Sequence, residues 1–194
     1  MAERHVISLR PEPLTSERFA LYGDVIESAV DKAEAMNAAR FQRFDDLCDI
    51  DIAEGGRVGM SIARCRTATS LPLQVDIMER HPLGSQAFIP LQHCKMLVVV
   101  GPGGESIDAA DLRAFVTNGR QGFNYHRGTW HMPLIAFEAG HEFLIVDRVG
   151  GGPNCEEYTL CLLYTSPSPR DLNQNLVLRH RLGKGGGGGG GGGG

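Results

Sequence analysis

The sequence predicts an all-β fold, a sandwich or barrel carrying a few short helices. Two patterns lead to it: a series of apolar runs of strand length, and Gly, Pro and Asn turn residues between them. The segments that read as helical are brief. Thr15 and Ser16 are candidate N-caps for a helix through Phe19, Leu21 and Tyr22, and Gly23 stands where a stop is expected. Strand patterns follow. Residues 58–64 alternate loosely, 87–91 are short and apolar, and 96–100 are continuously apolar ahead of Gly101-Pro102-Gly103-Gly104. One helical turn is expected over 108–112, capped by Ser106 or Asp108. Strands at 113–117, 132–137 and 143–146 complete the series.

Composition sets the outer bounds. A chain of 194 residues is the size of one domain, by the usual prior of roughly 100–200 residues. Its 42% of hydrophobic residues supply a sizeable core, and a net charge of -4 lacks the basic footprint of a nucleic-acid binder. No apolar run approaches the roughly 18 residues of a membrane span. The start, Met1-Ala2-Glu3-Arg4-His5, has no signal-peptide core. The expectation is a soluble, cytoplasmic protein without nucleic-acid or membrane partners. Cys48, Cys65, Cys94, Cys155 and Cys161 are odd in number and irregularly spaced, with no Cys-x-x-Cys pair. They are expected to be reduced, forming neither a disulfide framework nor a thiolate zinc site.

One domain is expected over residues 1–160. Residues 161–194 read differently: Cys161-Leu-Leu-Tyr-Thr-Ser-Pro-Ser-Pro-Arg170 clusters Ser and Pro, a polar stretch follows, and 185–194 are all glycine. A run without side chains has nothing to bury against the entropy of ordering. The expectation is a disordered, non-native tail resembling translated adapter sequence and a homopolymer read, in place of a short authentic C-terminus.

The chemistry concentrates in two segments. Glu79, His81 and Gln86 form the pattern E-x-H-x-x-x-x-Q. Residues two apart on a strand share a face, so Glu79 and His81 both look into the fold, and the turn at Pro82-Leu83-Gly84 lets Gln86 return on the adjoining strand. Arg80 alternates away from them. The second segment is His126-Arg127-Gly128-Thr129-Trp130-His131. Together Glu79, His81, Gln86 and His131 make a candidate pocket. Its nitrogen and oxygen donors suit a borderline or hard divalent ion, with no thiolate to favour a soft one. A metal-free polar pocket is the other reading. Tyr125 and Trp130 are candidate walls.

These segments resemble the two metal-binding motifs of the cupins, H-x-H-x(3,4)-E and P-x-G-x-x-H, with Glu79 and Gln86 at the outer positions of the first. In the second, His131 falls on the ligand position and His126 replaces the proline. A cupin-type (RmlC-like) β-barrel or jelly roll is what this resemblance implies. More of the chain is similar to the ureidoglycolate lyase family. The carrying segments are Phe19-Ala-Leu-Tyr-Gly-Asp-Val-Ile26, Glu79-Arg-His-Pro-Leu-Gly-Ser-Gln-Ala-Phe-Ile-Pro90, Arg113-Ala-Phe-Val-Thr-Asn-Gly119, residues 124–134 and Phe143-Leu-Ile-Val-Asp-Arg148. The implied activity is release of urea from (S)-ureidoglycolate to leave glyoxylate, a late step of allantoin breakdown, by a homodimer. Nickel, manganese or zinc are the candidate ions. The family commonly has histidine where Met132 stands, and often histidine in place of Asp45.

That reaction needs a base for the hydroxyl proton, an acid for the departing nitrogen and a cation for the carboxylate. Glu79, His81 and His131 are the candidate catalytic residues, with base, acid and ligand roles left open. Gln86 would hold a ligand or a substrate oxygen, beside Tyr125 and His126. Arginine suits a carboxylate because its planar fork meets both oxygens. Arg64 is the first candidate and Arg148 the second, a structural ion pair being the alternative for Arg148. Two other readings stand beside the lyase: an amidohydrolase releasing ammonia from the ureido group, and a non-catalytic cupin binding a small carboxylic acid.

Overall fold

The computed structural model describes residues 8–28 and 33–165, with side chains through residue 160. Fifteen strands appear among these residues. They are β1 (Ser8–Leu9), β2 (Glu12–Pro13), β3 (Gly23–Ile26), β4 (Glu34–Met36), β5 (Phe41–Arg43), β6 (Gly56–Arg64), β7 (Leu73–Arg80) and β8 (Gln86–Pro90). The rest are β9 (Met96–Gly101), β10 (Arg113–Val116), β11 (Gly122–Tyr125), β12 (Trp130–His131), β13 (Ile135–Ala136), β14 (Glu142–Gly150) and β15 (Glu156–Thr165). Among the described residues helix is confined to α1 (Ser16–Phe19) and a 3-10 turn, Ala109–Asp111. Of the tail expected at 161–194, residues 161–165 continue strand β15 and 166–194 lie outside the described residues.

The strands form two main sheets. The larger runs β1-β15-β7-β12-β9-β10-β2, with β13 also on β9, and the smaller runs β3-β11-β8-β14-β6. Strands β4 and β5 pair only with each other. No strand of one main sheet pairs with the other among the described residues, so the all-β expectation resolves as a cupin-like sandwich without barrel closure. Between the sheets lies an aromatic core in which Val98 and Val100 meet Phe88, Phe123, Tyr125 and Phe143. A second core covers the outer face of the larger sheet, where Leu97 and Val99 meet Met78, Leu112, Trp130 and Met132. Strand β9 feeds both cores and is buried at all six positions. That explains its unbroken apolar run, since alternation shows only where one face meets water.

Local chemistry accounts for the ends. Thr15 Oγ1 accepts the Arg18 amide at 3.3 Å and caps α1, whose Phe19 enters the inner core edge-on to Phe115 at 5.6 Å between ring centroids. Burying one such ring contributes about 1.5–3 kcal/mol. At Gly23 a Cβ would stand 1.9 Å from the Asn124 carbonyl oxygen, so only glycine lets β3 approach β11 this closely. Asp108 caps the 3-10 turn by accepting the Ala110 amide at 2.9 Å. Of the strand expected at 132–137 only Ile135–Ala136 pairs, as β13; β12 lies ahead of that range, and Pro133 between the two has no N–H for the ladder.

Candidate active site

Strand alternation builds the site on the inner face of the larger sheet. Glu79 near the end of β7 and His131 on β12 are direct cross-strand partners, and His131 also pairs with Val100. All three side chains therefore point between the sheets. His81 follows two residues after Glu79 on the same side. Ligand-capable atoms of Glu79, His81 and His131 lie within 4.8 Å of one another, and the two imidazole centroids are 5.3 Å apart.

Gln86 arrives differently from expectation. After His81, the turn through Pro82, Leu83 and Gly84 bridges Gly84 to Ile52, and Ser85 exchanges hydrogen bonds with the Asp51 backbone. The chain thereby leaves the larger sheet and enters β8 of the smaller one. Gln86 comes from the facing sheet instead of an adjoining strand, beside Tyr125 in register. Its Nε2 donates to Asp147 Oδ2 at 3.3 Å. Tyr125 closes the wall by stacking on the His131 ring, with centroids 4.0 Å apart and planes at 13°.

Each donor has a definable state. The His131 ring nitrogen Nδ1 lies 3.1 Å from the Met132 carbonyl, and that of His81 meets the Asn154 carbonyl. A carbonyl only accepts, so Nδ1 carries a proton in both rings, and the neutral form of each ring then presents a bare Nε2. Both Nε2 atoms, and Gln86 Oε1, are buried without a partner. Burial pulls the His131 pKa down to about 3, with His81 adding to the effect, so this ring is neutral at ordinary pH. Burial pushes the Glu79 carboxyl up from its ordinary range; His81 opposes this and Glu157 adds to it. Burial likewise keeps the Tyr125 hydroxyl protonated.

Other candidates lie elsewhere. Arg64 is on the solvent side at the far end of β6, paired with Glu142 at 2.6 Å. Arg148 neighbours Asp147 on β14 and so points to the opposite face, over Gly56 and Gly84, where it donates to the Gly151 carbonyl. Neither arginine joins the cluster. His126 is exposed on the outer face of the smaller sheet, 3.1 Å from Asp24 Oδ1. Trp130 packs in the outer core and does not wall the pocket. Met132 is there too, on the opposite side of the strand from His131. Asp45 pairs with Arg43 at 2.6 Å and lines a surface cleft with Asp24 and Asp46.

The site contains residues that sequence reasoning passed over. Asn154 and Cys155 sit in the turn leading into β15, where the run Gly150-Gly151-Gly152-Pro153 reads only as a break. Cys155 Sγ is 3.9 Å from Glu79 Oε2. Asp147 drew notice only as the neighbour of Arg148.

The profile of the Ureidoglycolate lyase family matches residues 6–165. The chain belongs to the ureidoglycolate lyase family. A ureidoglycolate lyase of Burkholderia mallei is 49% identical over 154 residues, covering 79% of this chain and 89% of the relative. One from Pseudomonas syringae pv. syringae is 45% identical over 162 residues, with coverage of 81% and 95%. One from Pseudomonas fluorescens is 47% identical over 152 residues, with coverage of 78% and 90%. The matched span contains every residue of the cluster.

Proposed function

We propose that the protein removes urea from (S)-ureidoglycolate and leaves glyoxylate, in allantoin-derived nitrogen breakdown, using the pocket of Glu79, His81, His131 and Gln86. The observation that carries this is the pair of bare acceptors, His81 Nε2 and His131 Nε2, buried without partners beside one carboxyl group of raised pKa, with Gln86 Oε1 also unpartnered on the facing sheet. Buried polar atoms are ordinarily paired, so an unpaired group of them marks a place where a ligand supplies the partner.

The reaction breaks one C–N bond and turns the carbinol C–OH into a carbonyl. The hydroxyl proton must leave and the urea nitrogen must gain one. In this reading Glu79 does both: its carboxylate takes the hydroxyl proton as the C=O forms, then returns it to the departing nitrogen. A carboxyl whose pKa is raised toward neutrality is better matched to that exchange than an ordinary one. His131 stays neutral and serves as an acceptor, with Tyr125 stacked behind it to hold the ring plane.

The donor chemistry also fits a divalent cation. His81 and His131 through Nε2, with Gln86 Oε1 from the facing sheet, would hold it, and Glu79 lies within ligand reach. Nickel, manganese or zinc would suit such N/O donors. Bound there, the ion supplies the positive charge for the substrate carboxylate that neither Arg64 nor Arg148 provides. The protein's own contribution is to orient both rings through their Nδ1–H groups and to keep the acceptors dry.

We take the protein to act as a cytoplasmic homodimer. The unpaired cysteines Cys48, Cys65, Cys94 and Cys155 suit a reducing compartment. Val58, Met60 and Ile62, respectively 49%, 69% and 56% exposed along the edge strand β6, offer an apolar stripe to a second copy. The deciding assay follows urea and ammonia from (S)-ureidoglycolate, with and without a chelator. Urea in step with glyoxylate is expected, with turnover lost on chelation and restored by a divalent ion. Ammonia as the first product would replace the lyase reading with hydrolysis.

A further inference from the structure

Three consecutive residues of the turn into β15 touch the strand end that carries the site. The Asn154 carbonyl accepts from His81 Nδ1, and the Asn154 side-chain Oδ1 accepts the Leu83 amide at 2.8 Å. Cys155 Sγ faces Glu79 Oε2. Glu156 pairs with Arg80 at 2.6 Å, in register with it. The strap 154–156 thus lies along 79–83, and Asn154 contacts two different residues of it. One contact goes to the catalytic ring and the other to the turn just behind that ring.

From these two contacts we infer that Asn154 is a positioning residue that locks His81 in the Nδ1–H tautomer and aims its bare Nε2 into the pocket. The reasoning is geometric. His81 Nε2 is buried and partnerless, and the Asn154 carbonyl can only accept. A free imidazole can place its proton on either nitrogen. With the carbonyl held against Nδ1, moving the proton to Nε2 would lose that bond and set an N–H against the pocket's acceptors. The carbonyl stays in place because the side chain of the same residue is tied to Leu83. A backbone carbonyl behind a histidine is a known way of fixing ring orientation and raising donor basicity, and loss of such support commonly costs 10–100-fold in activity or metal affinity. Gly151 and Gly152 between β14 and Pro153 add little stiffness, so the Asn154–Leu83 bond contributes to holding the carbonyl in place.

This inference rests on the reading that His81 belongs to the active pocket, and its test separates the two. The tautomer of His81 is read by nitrogen NMR of the metal-free full chain, assigned with a His81→Gln variant. Wild type should show a protonated Nδ1 and an unprotonated Nε2. Asn154→Ala should show averaging between tautomers, with kcat for urea release lowered about 10-fold or more and KM nearly unchanged. Asn154→Asp keeps an acceptor for the Leu83 amide and should restore the single tautomer and most of kcat. If Asn154→Ala does not fold, Asn154→Ser takes its place, its hydroxyl ending one bond short of Leu83. An Nε2–H tautomer in wild type, or an unchanged tautomer and kcat in the variant, overturns the inference. A tautomer change in a protein that releases no urea would leave the lock standing and remove the lyase reading.

Discussion

The two faces of the β7–β12 pair carry opposite chemistry in adjacent residues. On the outer face Arg80 is 9% exposed, yet fully engaged: it pairs with Glu156, donates to the Gly104 carbonyl and lies 5.0 Å over the Trp130 ring. The Trp130 indole N–H donates to that same carbonyl at 3.0 Å. On the inner face Glu79, His81 and His131 crowd together, and two ring nitrogens have no partner at all. Burial is deep on both sides, and polarity is high on both. What separates a structural face from a reactive one is whether the polar groups are satisfied by the protein itself. The outer face is satisfied as folded, while the inner face leaves two ring nitrogens unpaired.

Substitutions on the two faces should therefore fail in different ways. The largest effect is expected at His131→Ala, which should lower urea release more than about 100-fold while near-UV circular dichroism stays native. Near-normal turnover would take His131 out of the site.

A smaller effect on the inner face concerns acid. His131 has a folded pKa of about 3, against an ordinary 6.5. Between those values the unfolded chain binds a proton that the native state refuses. The neutral ring's contribution is therefore intact above about 6.5 and declines as pH falls toward 3. The expected loss is about 1.4 kcal/mol per pH unit in that window. Denaturant unfolding at pH 7 and pH 5 should show wild type losing about 2 kcal/mol more than His131→Gln. Equal losses would mean that the ring is not neutral in the fold.

The outer face should show the reverse behaviour. Arg80→Ala breaks a mostly buried pair with the half-exposed Glu156, and should cost about 1–2 kcal/mol of stability. Turnover per folded molecule should stay within a few-fold, measured beside the unfolding curve. A loss of kcat without a loss of stability would erase the distinction between the faces.

Much of this was legible in the sequence because alternation is a local rule. It put Glu79 and His81 on one face and Arg80 on the other, and 96–100 stood out as one unbroken apolar strand. Local capping chemistry likewise announced α1 at Thr15 and the turn at Asp108. Strands β7 and β15 were not legible, and their geometry shows why. Ile77 pairs with Thr159 and Val75 with Leu163, so two residues of β7 span four of β15. That bulge shifts the buried positions from Val75 to Met78 and breaks the period of two. Arg64 and Arg148 were chosen for their chemistry, and chemistry alone does not say which end or face of a strand a side chain occupies.

By itself the sequence determined the all-β class, the family and the polar residues Glu79, His81 and His131 that come together, since periodicity and motif order are properties of the chain. Only the tertiary structure decided that Gln86 comes from the facing sheet and that both arginines lie elsewhere. It alone decided that Asn154 stands behind His81, 73 residues away in sequence. Sheet crossing, register and the proton on each ring follow from contacts between distant segments. No local pattern encodes those, because each depends on where another part of the chain has already packed.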